Sequence, residues 1–540
     1  MNNQKKTFLN NTHFVILIPV LVCILALAVA LFIKPVEVSG AIESFKANAL
    51  NAMAPFYLWL GLGVVVFCLF IAFSKYGNVR LGAEKPEFST FSWIAMMFCA
   101  GMGSSLMYWS AAEWVYYMST PPQGVEPFSQ QAQELAMVYG SYHWGITPWA
   151  LYVVGAIALG VRYYLHKKPE LSLSACCAAV IGEKRVNTLT GRIIDIIFIL
   201  GLLAGQACTL AFGTPMICEM LHRVLGIERS FAMTVIVMCV VTMIFMITSW
   251  AGIGKGMKNV STYTAYAAIA IAIFFLIAGP TMYELKHGTQ MIGYQLQNFI
   301  GMSTWTDPIG NSGFPESWTA FYWAWWLALG PWVWVYAARV SKGRTLRQMI
   351  MGMVLCGTAG DWLYFTTVSP TGLWMQNNGI VDLVTEMTQK GPEYAVASLV
   401  ENMPFGSILM VIWIFVAVFL LSTTYDSVTF TIAATTAKRL SEGEEPNRMY
   451  RLLLAGVIIA TPLGFLFADA PLSAVQSAAF LTAIPIGVLC IFSMVSAIKY
   501  LKRDFGDMSS EQIIQACNDP NFVPRSVLEE KSANKKSIGK

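Results

Sequence analysis

The chain has 540 residues, 56% of them hydrophobic and only 12% charged, with a mean hydropathy of +0.57. That is more apolar surface than a soluble fold can bury, so the sequence reads as a polytopic membrane protein. A net charge of +4 with no basic stripe argues against nucleic acid as a partner, and eleven scattered cysteines without metal-ligand spacing argue against a disulfide or zinc scaffold.

In chain order, apolar runs of about 20 residues mark about twelve candidate spans. They fall near 14–34, 53–74, 89–110, 140–162, 193–213, 230–250, 262–282, 318–340, 348–372, 408–437, 450–468 and 474–498. The run from Phe14 to Ile33 is too long for a signal-peptide core, and no small-residue cleavage site precedes the polar segment after it. Residues 1–13 form the N-terminal segment and 14–88 hold two accessory spans. Segment 283–317 has apolar residues at near-helical spacing, such as Met291, Tyr294, Leu296 and Ile300, but is too interrupted to cross; it reads as an interfacial helix. The tail, 499–540, turns polar and predicts a short helix followed by disorder.

Basic residues set the orientation. Alternate connections carry Lys5 and Lys6, Lys75 and Arg80, Arg162 and Lys167, Lys255 and Lys258, Lys342 and Arg344, Lys438 and Arg439. The opposite connections carry Glu126, Glu134, Asp382, Glu386, Glu393 and Glu401. The positive-inside rule therefore predicts that both termini are cytoplasmic.

Two spans hold glycine in their middles beside small or aromatic residues: "FCAGMGSSLMYWS" (98–110), with Gly101 and Gly103, and "WWLALGPWVW" (325–334), with Gly330. Backbone breaks at membrane depth survive only where they are buried or line a cavity. The two breaks open segments 89–282 and 318–498, five spans each, at corresponding positions. This is the pattern of an inverted repeat in secondary carriers. The alternative is that these glycines only permit close helix packing.

"FYWAWWLALGPWVWVYAARV" (321–340) holds five tryptophans and two tyrosines. Belts at span ends account for Trp318, Tyr322 and Tyr336. Trp325 and Trp326 lie in mid-span and share a broad face with Leu329, with Trp332 about one turn further on. Several indole faces attract a cation that donates no hydrogen bonds, which is a quaternary ammonium, although an ordinary aromatic core is the plain alternative. Glu113 reads either as a partner for a ligand or as a wet carboxylate near the outer end of its span. Asp426, deep in the tenth span, reads as a cation site, a partner for a base or a structural hydrogen bond.

The stretches "FYWAWWLALGPWVWVYAARVSKGRT", "AGMGSSLMYWSAAEWVYYMSTPP", "SYHWGITPWA" and "GIGKGMKNVS" resemble the signatures of the betaine/carnitine/choline transporter (BCCT) family. They have much in common with the carnitine/γ-butyrobetaine exchangers and the glycine betaine carriers. The resemblance implies an all-α polytopic membrane protein with twelve transmembrane helices and an inverted five-helix repeat (the LeuT-like fold). It also implies a homotrimer in the bacterial inner membrane, a small quaternary ammonium substrate, and no cofactor apart from Na+ in symporting members.

Carried over by position, the substrate box draws on Trp325 and Trp326 with Trp323 nearby, on Tyr116 and on Trp144, and Trp318 becomes a transient outer site. The family has a fourth aromatic residue where this chain has Leu329. The cage is then three-sided, or Trp332 closes it. Sodium-coupled members place cation-binding hydroxyls at the positions of Thr423 and Thr424, completed by carbonyls near Cys99 and Met102. Sodium-independent exchangers have an arginine at the position of Lys258, whose charge stands in for sodium, whereas the plain reading of Lys258 is a cytoplasmic lysine beside Lys255. The expected activity is sodium-independent exchange, with sodium-coupled symport as the alternative. An enzyme is not expected, since the five histidines form no cluster and no nucleophile motif is present. A receptor lacks room for an output domain in a tail of about 40 residues.

Overall fold

The computed structural model describes residues 11–82, 85–467, 477 and 479–538. Residues 1–10, with Lys5 and Lys6, and most of 474–478 at the start of the last expected span lie outside them. The described chain is helical, with two isolated bridges, Thr12 to Ala437 and Arg80 to Thr345. Helices α1 (Phe14–Ile33) and α2 (Pro35–Phe73) come first. The third span is broken into α3 (Thr90–Gly101) and α4 (Ser105–Ser119), which meet at a bend of 56°. The fourth is split into α5 (Gln130–His143) and α6 (Ile146–Gly160). Then follow α7 (Leu189–Leu225), α8 (Phe231–Ala251), α9 (Lys258–Ala278) and α10 (Thr281–Thr304). The remaining spans are α11 (Phe321–Val340), α12 (Gly357–Asn377), α13 (Gly406–Thr435), α14 (Arg448–Phe467) and α15 (Ala483–Phe505).

Among the described residues, eight helices are long and apolar enough to cross a membrane, and nine if the bent α3–α4 pair is one span. Helices α11 and α12 fall outside that set because Trp, Tyr, Thr and Gly dilute their apolar content. Their polar groups meet protein instead of lipid: every residue of α11 from Trp326 to Val340 is buried. Helix α2 is the largest boundary difference. It starts at Pro35, and its 39 residues extend about 58 Å at 1.5 Å per residue, nearly twice the bilayer core.

The inverted repeat, invisible residue by residue, is visible in the packing. Helix α4 packs on α12 as α11 packs on α6, and α3 packs on α9 as α11 packs on α15. Likewise α8 meets α13 as α14 meets α7, α9 meets α12 as α15 meets α6, and α7 and α13 cross each other. Each unit has five spans, an odd number, so the second starts from the opposite side of the bilayer and is inverted.

Loops that the charge rule assigned to one side do gather at one end. There His13 N–H donates to Thr436 O at 2.7 Å, Lys75 Nζ to Gly506 O at 2.7 Å, and Lys168 pairs with Glu530 at 2.7 Å. The tail forms two helices, α16 (Ser510–Asn518) and α17 (Arg525–Ile538), where disorder was expected after the first. The backbone N–H of Ser526 and the His166 ring both bind Asp504, which ties α17 to that end. Among the described residues at the opposite end, Arg223 and Arg229 break the sequence pattern but are neutralised by Glu219, Glu393 and Glu401. Helix α10 packs between α2, α5 and α12 and leaves Leu296 and Ile300 exposed, as an interfacial helix does.

Candidate functional site

The expected break at Gly101–Gly103 is present. Gly103 has φ +55°, and a Cβ there would lie 2.7 Å from Thr424 Oγ1, so both conformation and space require glycine. The expected break at Gly330 is absent: α11 runs unbroken through Gly330 and Pro331, because neighbouring helices hold the chain where proline removes one ladder bond. A second break lies instead at Trp144 and Gly145, between α5 and α6.

A cavity of about 500 Å³ opens among α2, α4, α6, α7 and α11. Trp325, Trp326, Leu329 and Trp332 line it from α11, Tyr116 from α4, Trp144 from the break, and Trp318 from the turn before α11. Trp326 is the centre of the aromatic wall. Trp144 meets it edge-on at 5.1 Å between centroids, Tyr152 does so at 5.5 Å, and Tyr322 stacks on it at 5.8 Å. Tyr152 lies 6.3 Å from Trp332, which joins that indole to the wall. Trp318, Tyr322 and Trp326 recur every four residues and form a stacked column leading inward.

The indole N–H groups are engaged by protein. Trp326 donates to His143 O at 3.1 Å, Trp144 to Glu113 Oε2 at 2.9 Å, and Trp332 to Ser427 Oγ at 3.0 Å. What these three rings present to the cavity is π surface. Glu113 is fully buried, so it is not the wet carboxylate the sequence allowed. It also accepts hydrogen bonds from Tyr117 at 2.6 Å and from Tyr322, so one carboxylate orients two members of the wall, Trp144 and Tyr322.

Trp323 does not belong to the box. Its indole lies against α2, where a Cβ on Gly61 would come within 3.1 Å of it, and it does not line the cavity. Trp334 is likewise core: its ring fills the space beside Gly155, and its N–H donates to Leu151 O at 2.6 Å. Leu329 reaches the cavity while packing on α7, where a Cβ on Gly205 would fall 2.4 Å from its Cδ2. Trp332, about one turn further on, lines the cavity as well.

The residues read as a cation region separate into two groups. Thr424 Oγ1 donates to Cys99 O at 3.0 Å, and Thr424, Met102 and Gly101 line the cavity. Thr423 turns away and donates to Leu420 O of its own helix at 2.9 Å. Asp426 binds a base: its Oδ1 lies 2.7 Å from Arg451 Nη2 and accepts from Ser249, and the side chains of Asp426 and Arg451 are wholly buried. Asp426 is therefore not a cation site. Lys258 begins α9, half-exposed and outside the cavity lining, while its neighbour Met257 touches Arg451 at 3.8 Å.

Sequence reasoning missed Tyr152, Tyr322, Gln206, Phe212, Lys46 and Arg451. Tyr322 carried a signal, its i+4 spacing to Trp326. Tyr152 did not, because the break at Gly145 hides its phase relative to Trp144.

Residues 14–506 match the family model described as BCCT, betaine/carnitine/choline family transporter. "Uncharacterized transporter YeaV" of Escherichia coli (strain K12) is 34% identical over 470 residues, 87% of this chain and 96% of that protein. A "Carnitine transporter" of Acinetobacter baumannii is 32% identical over 474 residues, 88% of this chain and 86% of that protein. A solved structure described as "Substrate-bound outward-open state of a Na+-coupled sialic acid symporter reveals a novel Na+-site" aligns over 87% of this chain and 97% of that one. Its TM-score is 0.42 and its identity 12%.

Proposed function

This chain belongs to the betaine/carnitine/choline transporter family, and on that premise we propose that it carries a quaternary ammonium compound across the bacterial inner membrane by sodium-independent exchange. The observation that carries the reading is the aromatic cavity, lined by Trp144, Trp326 and Trp332 while protein atoms hold their N–H groups, so that the rings offer a ligand carbon surface without a donor. A trimethylammonium group donates no hydrogen bond and loses little on leaving water. Each desolvated cation–π contact stabilises it by about 2 kcal/mol. The similarity to a carnitine transporter supports the same class of substrate. Thr12 and His13 and the tail helices α16 and α17 lie at the basic end of the bundle, which supports a cytoplasmic location for both ends of the chain, and the family resemblance extends the proposal to a homotrimer.

On this reading exchange without sodium rests on a fixed charge near the broken third span, and Lys258 is the residue assigned to it: it lies one turn before Ser261, whose carbonyl accepts from Cys99 Sγ at 3.5 Å, whereas the charge of Arg451 is already balanced by Asp426. The test is uptake of labelled γ-butyrobetaine or choline into proteoliposomes, with sodium replaced by N-methylglucamine and with or without substrate preloaded inside. Uptake that ignores sodium and is stimulated by preloading supports exchange. Uptake abolished without sodium and indifferent to preloading establishes symport instead.

A further inference from the structure

The aromatic wall accounts for one end of a substrate. The cavity continues past it to a wall of different chemistry, made by α7 and by α2, a helix outside both repeats. Gln206 of α7 lines the cavity at 1% exposure, and its Oε1 has no hydrogen-bond partner. A buried amide left unpaired is costly unless something else satisfies it. Lys46 of α2 lines the same cavity, with Nζ 5.7 Å from the ring centroid of Phe321 and 6.0 Å from that of Phe480. Phe321 stacks on Trp325 at 6.2 Å, so the ammonium and the aromatic wall belong to one continuous surface. Lys46 lies near Glu43 of its own helix and near Cys208 of α7, two residues beyond Gln206, which puts the ammonium beside the stretch of α7 that carries the amide.

We propose that Lys46 and Gln206 form the recognition site for the carboxylate of a zwitterionic substrate, so that this chain selects trimethylammonium carboxylates over trimethylammonium monocations. The proposal rests on the aromatic box reading and adds the second half of the substrate. An ammonium facing the cavity repels a free monocation and attracts a carboxylate. A carboxylate cannot satisfy Oε1, since both only accept; a flip of the terminal amide puts Nε2 in the unpartnered position, where it donates to a carboxylate oxygen. A substrate lacking the carboxylate leaves the amide unpaired, and sites built to hydrogen-bond a group reject analogues without it.

The experiment is equilibrium binding to the purified full chain with three probes: γ-butyrobetaine, choline and tetramethylammonium. Tetramethylammonium has only the group that the aromatic box binds, so it reports on the box and on folding. The wild type is expected to bind γ-butyrobetaine at least about tenfold more tightly than choline, the scale of one charge-assisted hydrogen bond. Lys46→Met and Gln206→Leu should each weaken γ-butyrobetaine by about tenfold or more; Gln206→Leu should leave tetramethylammonium within about twofold, and Lys46→Met, which removes a like charge, should not weaken it. Gln206→Glu, nearly equal in size, should invert the preference towards choline. If γ-butyrobetaine and tetramethylammonium weaken together in the variants, or the wild type does not distinguish γ-butyrobetaine from choline, the carboxylate site is wrong while the box stands. If the wild type binds none of the three, the box itself is wrong and the proposal falls with it.

Discussion

The aromatic cavity and the cluster at Asp426 and Arg451 both concern positive charge, yet they are built in opposite ways. In the cavity, the polar atoms of Trp144, Trp326 and Trp332 are satisfied by protein, and the part of each ring that reaches the lining is carbon. In the cluster the cation is the protein's own, and Asp426, Ser249 and Glu445 surround its guanidinium. One region lines an open cavity; in the other the cation is already paired with a carboxylate. Sequence reasoning leaves both open, Asp426 as a cation site, a partner for a base or a structural hydrogen bond, and the tryptophans as a cation box or an ordinary aromatic core. The difference is whether the partner is already in the chain.

The comparison breaks most sharply at the ion pair. Arg451→Ala leaves Asp426 buried and uncompensated, and the expected loss is about 3–5 kcal/mol, read as a fall in the melting temperature of the detergent-purified protein. The double change Asp426→Leu, Arg451→Leu should recover much of that loss, since two apolar side chains replace a pair that needs its own desolvation. If Arg451→Ala melts like the wild type, the cluster is not a structural unit.

The next effect is in the cavity. Trp326→Leu removes the ring at the centre of the wall and should weaken tetramethylammonium binding at least about tenfold, one contact of roughly 2 kcal/mol. Unchanged affinity in a folded variant would reject the box.

Leu329→Trp separates the two ways of closing the cage. Because Leu329 fills the space beside Gly205, the larger ring overpacks and should cost about 1–3 kcal/mol in stability, with weaker binding. Tighter binding at an unchanged melting temperature would restore the three-sided cage. Trp332→Leu should weaken binding as well, since that indole lines the cavity too.

The smallest expected effect lies where the regions meet. Gly103→Ala puts a methyl group at 2.7 Å from Thr424 Oγ1 and at a positive φ, with an expected destabilisation of about 1 kcal/mol. A Thr424→Ala change should relieve the steric part of that cost, giving a measurable coupling in a double-mutant cycle. Strict additivity of the two changes would mean that the bend and the tenth span do not constrain each other.

How much was legible in the sequence follows from the range of the forces involved. Composition and run length placed the spans, because a bilayer admits helices of one length and little else. The glycines at 101 and 103 predicted a break that forms, since a residue at positive φ is a local requirement. Gly330 predicted one that does not, because proline in a helix packed on all sides loses one hydrogen bond without losing its neighbours. Trp325 and Trp326 share a helix with Trp323 and Trp334, and no periodicity rule tells the first pair from the second.

What the sequence alone determined was therefore the apolar spans, the grouping of the basic loops at one end and the turn at Gly103, all of which depend on a residue and the solvent around it. The tertiary structure decided which tryptophans face a cavity and which face Gly61 or Gly155. It decided that Leu329 is held by Gly205, that Asp426 has Arg451 for a partner, and that Lys46 of an accessory helix reaches the same space as Gln206. Each of these is set by a side chain from a distant part of the chain, and a contact between distant segments exists only once the helices have packed.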